Sequence, residues 1–236
     1  MPPFGENMLW KTMEARVDYP PVLSPQKRSG RTLSQPIDSS MFTGIIKTLG
    51  TLDDLRESNG VTTFRIATEW APKLEVDESI AVQGVCLTVV SHDEKTFDVN
   101  VVAETLSKTT LGSWEKGQSL NLERSLRLDQ GLSGHFVQGH VDGVGKVSSI
   151  EIDQENRHVW FEVSQDMVDY VVPRGSITID GVSLTLARVE GPRFMITIIP
   201  YTWDHTCFAT LKEGDMVNIE FDIITKTVVH VQKRLP

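Results

Sequence analysis

One segment of this chain occurs twice. SIAVQGVCLTVV, starting at Ser79, returns as SITIDGVSLTLA at Ser176, an offset of 97 residues, and the register holds without a gap from Ser79/Ser176 to Glu123/Glu220. Twelve of these 45 positions are identical, among them Gly84/Gly181, Leu87/Leu184, Thr88/Thr185, Phe97/Phe194, Thr105/Thr202, Gly117/Gly214 and Asn121/Asn218. The period is too long for a solenoid, whose units stack through a shared core, and suits a small unit that closes on itself and removes its sheet edges. Two copies of one domain follow, opened by matching glycine-centred segments, IIKTLG after Gly44 and HVDGVG after Gly139.

From Met41 onward the chain alternates short runs rich in Val, Ile, Thr and Leu with Gly, Asp or Asn, which is an all-β pattern of barrel or sandwich type. It predicts strands over residues 44–52, 62–68, 79–90, 96–102 and 119–124, and short helices over 103–111 and 202–211. The expected organisation is two tandem similar β-barrels over residues 41–134 and 135–222, followed by a short helix over 223–236. Within that last stretch Ile224, Val228, Val231 and Leu235 fall at i, i+4, i+7 and i+11, one apolar face that could pack on its own barrel or on another subunit. Residues 1–40 carry scattered Pro, Ser and charges without an apolar period and read as a flexible extension upstream of Met41.

Composition narrows the partners. The chain is 39% hydrophobic, enough for a core, and carries a formal charge of −9 with no basic block, which disfavours nucleic acid and anionic membranes. Its longest charge-free run, which contains residues 80–92, is far shorter than a membrane helix requires. Cys86 and Cys207 belong to no C-x-x-C pair, so a reducing, cytoplasmic setting fits best. Arg16, Arg28 and Arg31 give weak support to organelle targeting, and Glu6, Glu14, Asp18 and Asp38 argue against it.

Duplication leaves two related pockets free to diverge in side chain. The sharpest divergence is Cys86 against Ser183, each followed by the same Leu and Thr. On an extended strand Cys86 shares a face with Thr88, and Ser183 with Thr185. Cys86 reads either as a pocket thiol or as a small buried hydrophobe. His135 and His140 flank FVQG; the first reads as structural, while His140 stands where the first copy has Ile45 and is the better functional candidate. Arg174 and Asp222 bracket the second copy and could supply fixed charges. GVSLT lacks the second glycine of a nucleophile elbow, and GVG at Gly143 lacks the setting of a dinucleotide fingerprint.

MFTGI at Met41, SIAVQGVCLTV at Ser79, ETL at Glu104, NLERS at Asn121, SGHFVQGHVD at Ser133, IDGVSLT at Ile179 and VNIEFD at Val217 resemble, in order and spacing, the riboflavin synthase family. The resemblance implies two six-stranded β-barrels with a C-terminal helix, and dismutation of two molecules of 6,7-dimethyl-8-ribityllumazine into riboflavin and 5-amino-6-(ribitylamino)uracil by transfer of a four-carbon unit. It implies no metal or organic cofactor, and a homotrimer whose active sites lie between the N-terminal barrel of one subunit and the C-terminal barrel of the next. Carried over by position, Gly44, Ile45, Ile46, Cys86, Leu87, Thr88 and Thr105 line the N-barrel pocket. Gly139, His140, Val141, Ser183, Leu184, Thr185, Ile199, Pro200 and Thr202 line the C-barrel pocket, Arg174 and Asp222 contribute charge, and Phe42 covers the ligand. Cys86, His140, Ser183 and Thr185 are the candidates for proton abstraction and transient addition. Gln83, Ser107, Ser133 and Arg174 depart from the family's usual Asn, Arg, Gly and Lys. The alternatives are a non-catalytic lumazine- or flavin-binding antenna of the same fold, and a generic small-barrel binding module.

Overall fold

The structure, a computed structural model, describes residues 40–58 and 60–235, so the reading of residues 1–40 as an extension lies outside the described residues, Ser40 apart. Strands β1 (Thr48–Ser58), β2 (Val61–Ala67), β3 (Ser79–Val82), β4 (Val85–His92), β5 (Thr96–Val102) and β6 (Ser119–Arg124) close an antiparallel barrel in the order β1-β2-β5-β4-β3-β6. β7 (Gly143–Asp153), β8 (Asn156–Glu162), β9 (Ser176–Ile179), β10 (Val182–Glu190), β11 (Arg193–Ile198) and β12 (Met216–Phe221) close a second, with the same strand order displaced by six. Helix α1 (Ala103–Lys108) follows β5, α2 (Pro200–Asp204) follows β11, and α3 (Ile223–Gln232) ends the fold. The two six-stranded barrels and the terminal helix are those the sequence leads one to expect.

Period-two burial builds each core. In β4, Val85, Leu87 and Val89 point inward while Cys86, Thr88 and Val90 face outward. Phe64, Ile66, Phe97 and Leu120 fill the first barrel, and Phe161, Phe194, Phe208 and Phe221 the second. Each such buried side chain contributes about 1.5–3 kcal/mol. Bulges recur at matching places, Leu52/Asp54 in β1 with Val147/Ser149 in β7, and Val89/Ser91 in β4 with Leu186/Arg188 in β10, where the strands bend to close the ring.

Three local expectations change. The strand expected over 79–90 is a hairpin, because Gln83 and Gly84 both take positive φ (48° and 76°), the signature of a two-residue type I′ turn. The first strand begins at Thr48 rather than at residue 44, since Gly44 to Ile46 leave the barrel. The helix expected over 202–211 breaks where Thr206 turns extended (φ −130°) and its hydroxyl accepts from Phe208 N to start a 3-10 turn; Thr109 divides 103–111 in the same way.

The barrels meet across a local two-fold axis, and the contacts of their central turns come in reciprocal pairs. Asn121 Nδ2 donates to Asp180 O and Asn218 Nδ2 to Gln83 O, both at 2.9 Å. The side-chain oxygens of Asn121 and Asn218 accept from Cys207 N and Thr110 N, both at 2.8 Å. Gly84 and Gly181 touch back to back, and a Cβ on Gly84 would lie 2.6 Å from Gly181 N. Two copies of one fold thus bury the same turns against each other, and side chains larger than hydrogen are excluded at Gly84 and Gly181.

Candidate active site

A strap of chain precedes each barrel, and the two straps cross. Phe42 N donates to Val137 O (2.7 Å) and Val137 N to Phe42 O (3.1 Å), pairing equivalent residues on the two-fold axis. Each strap is fastened by a carboxylate of the barrel it introduces. Glu123 accepts from Thr43 N (2.7 Å), Thr43 Oγ1 (2.7 Å) and Gly44 N (2.9 Å), while Glu220 accepts from Gln138 N (2.8 Å) and Gly139 N (2.9 Å). Burial pushes both acids above the ordinary glutamate range, against the pull of these donors.

From these anchors each strap reaches the opposite barrel. Gly139 O accepts from Cys86 N (2.8 Å) in β4, and Gly44 O accepts from Ser183 N (2.7 Å) in β10. Val141 packs on the first core and Ile46 on the second. The grouping carried over by position is therefore exchanged: Gly139, His140 and Val141 stand beside Cys86, and Gly44, Ile45 and Ile46 beside Ser183. Only glycine fits the crossing points. Gly44 (φ +74°) and Gly139 (φ +75°) are left-handed, and a Cβ on either would sit 2.6 Å from the Cβ of Ser183 or Cys86.

Outside β4 the exchange forms a cleft of about 170 Å³ lined by Val85, Cys86, Glu104, Thr105, Lys108, Thr109, Gly139, His140 and Val141. Thr88 is exposed one pleat further along the outer face. Leu87 points into the barrel core instead, because it alternates with Cys86, and can offer a ligand only its backbone. Phe42 does not cover the cleft. It is fully buried beneath Cys86 with Ala81 and Val137, where its ring loses all contact with water. A much larger cavity of about 770 Å³ lies elsewhere, under Trp70 and the end of β6, but its Arg124 is already paired with Glu78 (2.5 and 2.9 Å) and it contains none of the candidate catalytic residues.

The second half-site adds a group read from sequence as structural. His135 Nδ1 lies 2.8 Å from Ser183 Oγ and its Nε2 lies 3.2 Å from Thr178 Oγ1. Burial holds this imidazole below its usual pKa, opposed by the charge of Asp222, so at neutral pH it is an uncharged ring that donates through one nitrogen and accepts through the other. The repeat held the clue: on the strap, where equivalent residues are 95 apart, His135 aligns with Ser40. Thr185 is exposed on the outer face, Leu184 half-buried, Ile199, Pro200 and Thr202 follow at the start of α2, and Asp222 caps α3 by accepting from Ile224 N (2.6 Å). Arg174 is exposed at a left-handed turn (φ 65°) whose N–H bonds Leu186 O. The second cysteine is held as a thiol: Cys207 Sγ donates to Ser119 O, and burial pushes its pKa up to about 12.

The first half thus sets a thiol, a histidine and a threonine on one cleft, and the equivalent position of the second half carries a serine bonded to a different histidine. The family model of the lumazine binding domain matches twice, over residues 43–125 and 138–222. Riboflavin synthases of Chlamydia pneumoniae (37% identical, covering 83% of this chain and 96% of theirs) and Actinobacillus pleuropneumoniae (36%, 80% and 88%) align across both halves. The chain belongs to the riboflavin synthase family. Solved structures of LumP share the fold: its complex with riboflavin has a TM-score of 0.71 and its complex with 6,7-dimethyl-8-(1'-D-ribityl) lumazine 0.69, each 22% identical and covering 76% of this chain and 98% of that one. No helix among the described residues is long and apolar enough to cross a membrane.

Proposed function

We propose that the chain is a riboflavin synthase, transferring a four-carbon unit between two molecules of 6,7-dimethyl-8-ribityllumazine to give riboflavin and 5-amino-6-(ribitylamino)uracil. The observation that carries this reading is the pair of equivalent outer-face half-sites, Cys86 with His140 and Ser183 with His135, on a chain of the riboflavin synthase family. Two copies of one ligand have to meet, and holding both in contact replaces an encounter with an intramolecular step. A base removes a proton from the acidic 7-methyl group of one lumazine, and a nucleophile or bound water adds transiently to the other. His140 and Cys86 serve the first half-site. Ser183, kept oriented by a neutral His135 that can accept its proton, serves the second with Thr185.

Mixing purified protein with the lumazine and following the flavin absorption band tests this. Growth of the band is the expected result; binding without growth would select the antenna reading instead. Cys86→Ser and His140→Ala are each expected to slow turnover by about 10–100-fold while weakening ligand binding far less. Equal losses in turnover and binding would contradict their roles.

The reading includes association of three copies. The cleft at Cys86 is small beside the roughly 300–1,000 Å³ of an enclosed small-molecule site, so a second wall has to come from elsewhere. The apolar face of α3 is also unsatisfied by its own barrel, with Ile224, Val228 and Val231, and Leu235 just beyond the helix, between 52% and 68% exposed. Lys226 instead pairs with Asp142 (3.0 Å) and Lys233 with Asp169 (2.8 Å), so the stripe faces away. Val228→Asp is expected to leave the barrels folded, shift the chain to monomer in sedimentation, and lower turnover at least tenfold while ligand still binds.

A further inference from the structure

An i, i+4 pair borders the Cys86 cleft, and the pair at the equivalent positions of the second repeat has diverged in kind. In the first half it is Glu104 and Lys108 on α1, an ion pair at 2.8 Å that borders the Cys86 cleft. In the second half the equivalent positions hold Tyr201 and His205, whose rings stack with centroids 4.1 Å apart and planes 17° from parallel. The frames around the two pairs coincide. Thr109 Oγ1 donates to Thr105 O at 2.7 Å and Thr206 Oγ1 to Thr202 O at 2.8 Å. Leu111 N and Phe208 N meet the same two hydroxyls, both at 3.3 Å. Tyr201 and His205 therefore stand to Ser183 as Glu104 and Lys108 stand to Cys86.

The stack is held in place before any ligand arrives. His205 Nδ1 lies 2.8 Å from Tyr201 O; a carbonyl only accepts, so this nitrogen carries the proton and the ring is pinned beneath the tyrosine. Tyr201 nevertheless stays 69% exposed, beside Ile199 at 54%. A tyrosine covered on one face, open on the other and flanked by an exposed isoleucine offers a flat apolar surface at low entropic cost, of the kind that planar heteroaromatic rings stack on. The ion pair of the first half offers only charge and hydrogen bonds.

We propose that the Tyr201–His205 stack is a specificity-determining platform of the Ser183 half-site, on which the ring system of one ligand lies. The proposal rests on the function given above. It makes the surroundings of two identical ligands unequal, with one held by stacking and the other framed by an ion pair, and so separates their parts in the reaction.

Riboflavin is the probe, titrated into the full chain while its fluorescence is followed, with lumazine turnover measured alongside. Tyr201→Leu is expected to weaken one class of site by about five- to tenfold and to remove its share of the quenching, the size of effect seen when a single stacking partner is lost. Tyr201→Phe is expected to restore both, and His205→Ala to give an intermediate loss. Because both positions are exposed, unfolding midpoints should be unchanged; if Tyr201→Leu misfolds, His205→Ala reads the same platform. Variants that bind and quench like the parent, in a chain that turns over lumazine, overturn the platform alone. A parent chain that neither binds riboflavin nor turns over lumazine overturns the function on which it rests.

Discussion

At pH 8 Asp180→Asn is expected to be more stable than the parent chain, and the difference is expected to shrink steadily as pH falls to 5. Asp180 lies on the two-fold seam, 5% exposed, and its Oδ1 accepts from Asn218 N at 2.8 Å. Burial raises its pKa from an ordinary 3.8 to about 7, Asp215 pushes the same way, and the Asn218 N–H only partly offsets them. The sign follows from proton counting. Between pH 4 and pH 7 the folded chain holds a proton that the unfolded chain releases, so stability is full below pH 4 and declines as pH rises through 7. At about 1.36 kcal/mol per pH unit, that interval costs on the order of 4 kcal/mol by pH 8. The first half supplies the control, since Gln83 Oε1 accepts from Asn121 N at 2.7 Å in the same position without an ionisable group. Urea midpoints measured from pH 5 to 8.5 should slope downward in the parent and flatten in the variant. Parallel profiles would mean that this carboxyl does not change charge over the range.

Glu220→Ala should cost most of the activity. The side chain is 3% exposed and both its oxygens accept strap N–H groups, so truncation leaves Gln138 N and Gly139 N without partners in a buried place, at about 1–3 kcal/mol each. The strap then loosens at the residue next to His140, whose position against Cys86 depends on Gly139 O receiving Cys86 N. A displacement of about 1 Å is enough to lower turnover on the order of 100-fold. Glu123→Ala should do the same through Gly44 and the Ser183 half-site. Glu220→Gln should be milder, retaining one acceptor and setting its amide donor against the other N–H. Turnover and unfolding midpoints measured together check this, and a Glu220→Ala chain with parental turnover would show that the strap holds its course without the carboxylate.

What could be read in advance was whatever the residues say locally or by repetition. The ungapped match from Ser79 to Glu123 carries the duplication, and alternation in VCLTV puts Cys86 and Thr88 on one face without saying that it points outward. The crossing of the straps could not be read, because it is a tertiary choice between two chemically similar strand edges. Gly44 and Gly139 mark a tight approach without saying which strand is approached. His135 reads as structural for the same reason: its partners, Ser183 and Thr178, lie more than forty residues away in sequence. The hairpin at Gln83-Gly84 was legible in principle as a turn dipeptide, but the unbroken apolar run around it reads as one strand. The stripe on α3 was legible as a face and not as an occupant, since periodicity records that a surface is apolar and not what will cover it.

The crossed straps also say something about ancestry. Two equal barrels that lend each other an arm across a two-fold axis have the architecture of a homodimer that once traded its leading segments between separate chains. Linking the partners end to end made that trade independent of concentration. It also lifted a restriction no pair of identical chains can escape, because each position acquired a second codon. Only then could one half hold a thiol at Cys86 while the other holds a hydroxyl at the equivalent Ser183.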